Sequence, residues 1–153
     1  MQTLIDLALR EDIGTGDATT HSVFPSSMQA QADVVARSAT VACGMSLIAE
    51  IVRRFDPDAI VEDLRPDGTR VHAGSALASI RGDVRAILTC ERVILNFLMR
   101  LCGIATLSRR AVDALPSGCR ARIFDTRKTM PGWRRLDKAA VATGGAHNHR
   151  HGL

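Results

Sequence analysis

The chain has 153 residues, of which 46% are hydrophobic and 24% charged, and a formal net charge of +4 at pH 7. This length and composition are typical of an ordinary globular domain with its own core, and they exclude a disordered chain. Aromatic residues make up only 3% of the chain and tyrosine is absent, so few side chains are available for stacking on nucleic acid bases.

The N-terminal segment predicts a short helix over residues 2–12, because apolar residues recur at helical spacing until Gly14 and Gly16 end the pattern. Residues 17–20 follow as a turn with local side-chain capping. The first residues carry no basic stretch ahead of an apolar run, and no uncharged apolar run is long enough to span a membrane. We therefore expect no signal peptide, no membrane partner and a cytoplasmic location.

Residues 29–80 predict a small layer of strands packed on a helix. Small apolar residues alternate with polar ones over residues 29–38, which is typical of a half-buried strand. Residues 44–55 place apolar side chains at helical spacing, and two further strands are predicted over residues 60–64 and 77–80. Strands and a helix joined by short loops indicate the α+β fold class.

Residues 85–101 are apolar almost all round and predict a buried helix. Gly103 is expected to break this helix, with a second helix continuing as far as Leu115. The polar residues of the segment recur along one helix face: Arg85, Thr89, Arg92, Asn96 and Arg100. This polar stripe faces either solvent or, alternatively, a subunit interface or a bound anion, and the sequence leaves these alternatives open.

The remaining segment predicts the first unit of a parallel β/α structure. Residues 120–125 predict a short buried strand, and Pro131 is expected at the first position of a helix. Gly144 ends that helix, and the next strand is expected to begin at Asn148. A strand, a loop, a helix and a second strand in this order are typical of parallel β/α architecture.

Positive charge is concentrated at this end of the chain. Residues 120–153 contain eight arginines and lysines against two acidic residues, whereas residues 1–119 contain twelve against fourteen. Two basic motifs, residues 126–128 and 149–150, follow the first predicted strand and open the second, where a β/α unit places ligand-binding residues. Arginine offers a planar fork to carboxylates and phosphates, so the sequence predicts a site for a small polyanion, with a solvated loop as the alternative.

Three histidines alternate near the end of the chain, at His147, His149 and His151, and could share one strand face as metal ligands. No cysteine or carboxylate stands beside them, and the neighbouring arginine disfavours a divalent cation, so we expect no metal held by these residues. The four cysteines show no paired spacing and indicate buried or incidental thiols in a reducing compartment.

Several motifs of the chain resemble those of the quinolinate phosphoribosyltransferase family. They cover residues 10–17 (REDIGTGD), 90–98, 100–106, 125–129 (DTRKT) and 144–153, which ends in NHRHGL. The family transfers a phosphoribosyl group from phosphoribosyl pyrophosphate to quinolinate, releases pyrophosphate and CO2, and forms nicotinate mononucleotide on the way to NAD. The resemblance implies this pentosyltransferase activity, together with Mg2+ that accompanies the pyrophosphate and has its ligands mostly beyond Leu153.

The resemblance also implies a fold. An α+β sandwich N-terminal domain with a long buried helix is expected in residues 1–108, followed by the start of an incomplete α/β (TIM-like) barrel in residues 109–153. The family works as a homodimer or a larger homo-oligomer. Because a complete barrel needs about 200 residues, the barrel is expected to be truncated. We expect the chain alone to be inactive and to expose the unpaired edge of its last strand.

Carried over residue by residue, the resemblance implies substrate contacts at both basic motifs. Arg127, His149 and Arg150 are expected to bind the quinolinate carboxylates. Lys128 is implied as a catalytic contact to the phosphoribosyl substrate or the leaving group, with Thr126 as a neighbouring substrate contact.

Arg92 is similar to an arginine that enters the active site of the neighbouring subunit. Glu91, implied as catalytic, is expected to hold Arg92 in place by a local ion pair. Met130, Trp133 and Ala146 depart from the family pattern and put the details of specificity in question.

Two other functions compete with this one. A related family, a paralogue associated with molybdenum transport genes and without a settled substrate, has a similar arrangement of basic motifs, but Asn148 directly before His149 favours the quinolinate enzyme. A basic nucleic-acid-binding module is disfavoured, because the positive charge is compact, aromatic residues are scarce and no helix-turn-helix or zinc pattern is present.

Overall fold

In the computed structural model, which describes residues 2–153, helices and short strands alternate along the chain. The elements are α1 (Gln2–Ile13), α2 (Ala18–Val23), β1 (Gln29–Val35), β2 (Thr40–Val41), α3 (Ser46–Val52), β3 (Ile60–Glu62), β4 (Arg70–Val71), β5 (Ala76–Asp83), α4 (Val84–Asp113) and α5 (Arg134–Thr143). The predicted mixture of helices and strands is confirmed.

The main sheet is antiparallel and has β5 at its centre, in the order β1-β5-β3. Gln29 pairs with Asp83 at one end of β1, and Ile60 pairs with Arg81 on the other side of β5. Alternate residues of β1 are exposed and half-buried, as its sequence predicts. Strands β2 and β4 form a separate two-stranded sheet, which was not predicted because two-residue strands are too short to show an alternating pattern.

The long helix α4 packs one face against the sheet and against α1, α3 and α5. Four of its inward side chains, Cys90, Val93, Phe97 and Leu101, are at most 2% exposed. Burial of the helix predicted over residues 85–101 is confirmed on this face only, because Leu88 and Met99 elsewhere on the helix are 38% and 64% exposed. No helix within residues 2–153 combines the length and the apolar character needed to cross a membrane.

Helix α4 continues through Gly103, and the predicted break there is wrong. A single glycine weakens a helix by about 1 kcal/mol relative to alanine, which the buried neighbours Cys102 and Ala105 offset by packing in the core. Thr106, one turn further on, donates to Cys102 O at 2.6 Å and accepts the Val41 amide at 2.9 Å. Its hydroxyl also lies within hydrogen-bonding distance of Thr40 Oγ1, at 2.8 Å. The domain boundary expected at residue 108 lies inside this helix and stays a prediction.

The strand predicted over residues 120–125 is reduced to one parallel bridge between Phe124 and His147. The Asp125 amide donates to His147 O at 3.0 Å, and the His147 amide donates to Ile123 O at 2.8 Å. Phe124 is 49% exposed, so the expected burial is wrong, because the segment has a neighbour on one side only in the described residues. The predicted parallel arrangement of the two segments is confirmed, but the second strand expected from Asn148 is wrong, because the pairing residue is His147 and residues 148–150 form no strand.

The structure corrects two predictions, the start of α5 and the turn expected over residues 17–20. Helix α5 begins at Arg134, because Pro131 and Gly132 form a turn in which Gly132 has a φ of +80°. Residues 17–20, predicted as a turn, open the short helix α2, whose first amides are capped by Asp17 through a 2.9 Å hydrogen bond from the Thr20 amide. Helix α5 ends at Gly144, as predicted.

Two glycine substitutions are expected to have opposite effects on stability. Gly103→Ala should stabilise the protein by about 1 kcal/mol, because Gly103 is exposed in a helix and a Cβ there meets nothing within 4 Å. Gly144→Ala should destabilise it by about 1–3 kcal/mol, because a Cβ there would lie 2.4 Å from Ala105 O. Urea unfolding of both variants measures the two changes, and a destabilising Gly103→Ala would contradict the continuous helix.

Thiol reactivity provides a second test of the fold. Cys43, Cys90 and Cys102 are buried, and burial raises the pKa of Cys43 to about 11, the pKa of Cys90 to about 12 and the pKa of Cys102 as well. Cys119 is exposed. Only the thiolate reacts with a disulfide reagent, so the folded protein should release about one equivalent of thionitrobenzoate quickly at pH 8. Cys119→Ser should abolish this fast phase, and rapid labelling of a second thiol would contradict the packing described.

Candidate active site

A buried ion pair between Lys138 and Asp125 lies between the two basic motifs. The Lys138 side chain is 1% exposed, and its ammonium donates to Asp125 Oδ1 at 2.7 Å, to Asp125 Oδ2 at 2.6 Å and to His149 O at 2.8 Å. An ammonium has three N–H groups, so these three acceptors satisfy it completely. Helix α5 is thereby bonded to both motifs.

The Asp125 carboxylate is the common acceptor of this network. It receives the His149 amide at 2.6 Å, and the side-chain amide of Asn148, oriented by its hydrogen-bonding partners, donates to Asp125 Oδ2 and to Lys138 O, both at 2.9 Å. Its side chain is 5% exposed. Because the four donors use its lone pairs, Asp125 is a structural anion and not a base open to substrate.

Arg134 makes a second set of bonds one helical turn before Lys138. Its Nε donates to Thr129 Oγ1 at 3.1 Å, its Nη2 to Arg127 O at 3.2 Å, and its Nη1 to His151 O at 3.2 Å. The sequence analysis assigned no role to Arg134 or Lys138. The available indication was that Lys138 is one of only two lysines beside eighteen arginines.

The basic residues expected to bind substrate are brought together at the end of the Phe124–His147 bridge. Residues 126–128, the first basic segment, follow the bridge on one side, and residues 149–150, the second basic segment, follow it on the other. Lys128, His149 and Arg150 are exposed. Arg127 is half-buried, and its Nε is buried without a hydrogen-bond partner in the described residues. Thr126 Oγ1 accepts the Lys128 amide at 3.1 Å and so shapes the first segment.

Glu91 and Arg92 lie elsewhere, on the wall of a cavity of about 450 Å3 between α4 and the segment that joins α1 to α2. The Arg92 side chain is 78% exposed, and its nearest carboxylate is Asp12, at 3.9 Å. The expected ion pair with Glu91 is wrong, because adjacent residues of a helix point about 100° apart. Among residues 2–153, neither Glu91 nor Arg92 forms a hydrogen bond or ion pair with the two basic segments.

Most side chains of the polar stripe on α4 bind other residues of this chain. None of the three alternatives, which were solvent, a subunit interface and a bound anion, predicted such contacts. Four of its five members bind acidic residues of neighbouring elements: Arg85 with Asp83, Thr89 with Asp17, Arg92 with Asp12, and Arg100 with Asp137. Hydrogen bonds from Thr20 and Thr89 hold the pKa of the Asp17 carboxyl below its usual value. The stripe therefore connects α2 and α5 to α4, whereas the Arg92–Asp12 pair at 3.9 Å adds little because the Arg92 side chain is 78% exposed.

Trp133, one of the departures from the family pattern, lies behind the basic segments. Its ring packs on Phe97 of α4 with centroids 4.8 Å apart, and the Arg100 guanidinium lies 5.2 Å from its centroid. Arg100 also forms a bidentate pair with Asp137, at 2.9 and 2.8 Å. Of the other departures, Met130 is 52% exposed and Ala146 is buried.

The three alternating histidines do not converge. Within residues 2–153, no group of three or more histidine, cysteine or acidic side chains is placed to hold a metal ion. The His147 ring instead packs on Phe124, with centroids 5.4 Å apart.

Comparison with known families identifies both halves of the chain. Residues 17–102 match the family model of the quinolinate phosphoribosyl transferase N-terminal domain, and residues 104–153 match that of its C-terminal domain. The chain belongs to the quinolinate phosphoribosyl transferase family. The resemblance inferred from the motifs is confirmed, and neither competing function is favoured.

Named members of the quinolinate phosphoribosyl transferase family match this chain along its whole length. It is 42% identical to the chloroplastic nicotinate-nucleotide pyrophosphorylase [carboxylating] of Arabidopsis thaliana, over 100% of this chain and 43% of that protein. It is 40% identical to the probable nicotinate-nucleotide pyrophosphorylase [carboxylating] of Bacillus subtilis, over 100% of this chain and 52% of that protein. The crystal structure of NadC from Streptococcus pyogenes superposes with a TM-score of 0.94 at 38% identity, covering 99% of this chain and 55% of that one. The chain thus spans about half the length of these relatives.

Substitution of the two lysines should distinguish the buried ion pair from the exposed cation. Lys138→Met leaves Asp125 buried without its counter-charge, and we expect a loss of about 3–5 kcal/mol in the free energy of unfolding. Lys128→Met, at an exposed position that forms no ion pair with another of the described residues, should change it by less than about 0.5 kcal/mol. Chemical denaturation followed by circular dichroism measures both, and equal effects would contradict the assigned burial.

Proposed function

We propose that this chain provides the carboxylate-binding part of an enzyme that transfers a phosphoribosyl group to quinolinate. In this reaction the pyridine nitrogen attacks the anomeric carbon of phosphoribosyl pyrophosphate and pyrophosphate leaves. The carboxylate next to the nitrogen is lost as CO2, and the ring carbon that carried it takes up a proton from water. The product is nicotinate mononucleotide. The observation that carries the proposal is the placement of two basic segments side by side in a chain that matches both domains of the family.

Quinolinate carries two adjacent carboxylates, which suit two adjacent basic segments. Arg127 and Arg150 each offer a planar fork that binds a carboxylate through two hydrogen bonds, and His149 adds a further donor. The buried Nε of Arg127 has no protein acceptor in the described residues, which supports a role in binding an anion. Binding both carboxylates fixes the direction of the ring nitrogen toward its electrophile.

Lys128 is proposed to act on the second substrate. Its side chain is exposed beside the carboxylate-binding residues, and a mobile ammonium suits the phosphates of phosphoribosyl pyrophosphate or the departing pyrophosphate. Negative charge grows on the leaving group as the glycosidic bond breaks, so a fixed positive charge there lowers the barrier. Thr126 is proposed as a neighbouring contact whose position is set by the Lys128 amide.

We further propose that Arg92 serves a second copy of the chain in a homodimer or larger oligomer. Arg92 is largely exposed and, within residues 2–153, is held only by Asp12 at 3.9 Å, so its guanidinium can reach outward. Glu91 lies beside it on the same cavity wall, and its catalytic role stays a prediction. In such an arrangement the Arg92 guanidinium of one copy would add a further bidentate contact to the polyanionic substrates of the other.

The remaining expectations from the family are retained as proposals. Residues 109–153 are proposed to begin the α/β barrel, which the parallel Phe124–His147 bridge around α5 supports.

Mg2+ is proposed to arrive on the pyrophosphate group of the substrate. The carboxylates nearest to the basic segments, Asp125 and Asp137, are already paired with Lys138 and Arg100, so they do not fit as magnesium ligands.

Calorimetry with quinolinate and nicotinate tests the proposal. The chain should bind the dicarboxylate more tightly than the monocarboxylate, and Arg150→Gln should weaken quinolinate binding about tenfold or more, since it removes a charged hydrogen-bonding fork. Arg135→Gln is the matched control, because Arg135 is exposed and forms no hydrogen bond or ion pair within residues 2–153. Equal affinity for the two ligands, or an equal effect of the two substitutions, would refute this assignment.

A further inference from the structure

We infer that Arg134 and Lys138 are positioning residues that hold the two basic segments at the spacing a pyridine dicarboxylate requires, without contacting it. This inference rests on the proposed function. Both residues lie on α5 four positions apart, so their side chains project from the same helix face. Each is bonded to both sides of the proposed binding site.

Lys138 cannot reach a ligand. Its side chain is 1% exposed, and its three N–H groups are used by Asp125 and His149 O. Asp125 directly precedes the first basic segment, and His149 begins the second. One ammonium therefore fixes the starting points of both segments relative to each other, and the His149 amide bond to Asp125 at 2.6 Å closes the connection.

Arg134 fixes the same segments further along. It binds the carbonyl of Arg127 and the hydroxyl of Thr129 on one side, and the carbonyl of His151 on the other. A planar guanidinium can donate in these three directions at fixed angles, whereas a lysine ammonium on a flexible chain has no such fixed geometry. Arg134 thus holds the backbone of Arg127, and the side chain of Arg127 stays available for the anion.

Helix α5 is itself held firmly, so these bonds connect the segments to the core. Asp137, between the two cations in sequence, is buried and forms a bidentate pair with Arg100 of α4. Trp133 packs on Phe97, which is 1% exposed. The spacing of the segments therefore depends on the position of α5 on α4.

Spacing matters only for a ligand that uses both segments together. The two carboxylates of quinolinate are fixed by the ring, so a shift of about 1 Å between the segments can cost up to about 100-fold in productive binding. A monocarboxylate such as nicotinate needs only one segment and is insensitive to the spacing. The ratio of the two affinities therefore measures positioning and is not changed by a uniform loss of stability.

The test compares Arg134→Lys with Arg135→Lys, which keep the charge and replace the guanidinium. Arg134→Lys should lower quinolinate affinity about tenfold and nicotinate affinity less than about twofold, whereas Arg135→Lys should change neither. Thr129→Val, which removes one of the three acceptors, should give a smaller change of the same kind and is the alternative if Arg134→Lys does not fold. An equal loss for both ligands would overturn the inference.

Amide hydrogen exchange gives a measurement that does not depend on the ligand. The His149 amide, bonded to Asp125, and the Asp125 amide, bonded to His147 O, should exchange several-fold faster in Arg134→Lys, while amides of β5 keep their rates. Unchanged exchange would overturn the positioning role. Faster exchange in a protein that binds quinolinate and nicotinate equally would support positioning and reject the proposed function.

Discussion

An ammonium buried away from water is stable only when each of its N–H groups has an acceptor, and Lys138 meets this condition with acceptors from two different segments. The carboxylate of Asp125 has the same need and takes its donors from Lys138, His149 and Asn148. If either charge moved away, the other would be left buried without its partner. The backbone around both residues is therefore fixed. The basic segments that follow are held in this geometry, with the side chains of Lys128, His149 and Arg150 exposed and that of Arg127 half-buried.

Helix α4 connects this network to the remainder of the molecule. Its inner face forms the core with the antiparallel sheet, and Thr106 near its end bonds to β2. Helix α5 approaches α4 so closely that Gly144 leaves no room for a Cβ beside Ala105 O. Because α4 is continuous and packs on both the sheet and α5, it fixes the position of α5 relative to the sheet. Arg134 and Lys138 then fix the basic segments relative to α5.

Local patterns predicted the elements that are determined locally. The alternation over residues 29–38 gave β1, and the helical spacing of apolar residues gave α1 and α3, because burial of one face is visible in the sequence. The break expected at Gly103 failed because core packing outweighs one weak helix former. Both basic segments were found from their residue types, and the family from their order.

The contacts that hold the site together were not predictable in the same way. Arg134 and Lys138 lie beside Arg135 and Asp137 in α5, and charged residues of a helix usually face solvent. Their spacing gives no indication of an acceptor on a distant loop. The partner of Arg92 was placed at Glu91, its neighbour in sequence, whereas the fold brings Asp12 to it from α1. Pairings between distant segments depend on the tertiary structure, which a single sequence does not display.

The scarcity of lysine has a consequence for chemical modification. The chain has two lysines, and the ammonium of Lys138 is enclosed and fully bonded, so in residues 2–153 Lys128 is the one lysine side chain accessible to an acylating agent. Lysine acetylation removes a positive charge and a hydrogen-bond donor. Acylation of a lysine in this chain would therefore fall on the first basic segment, where it would neutralise the charge and leave the buried ion pair intact.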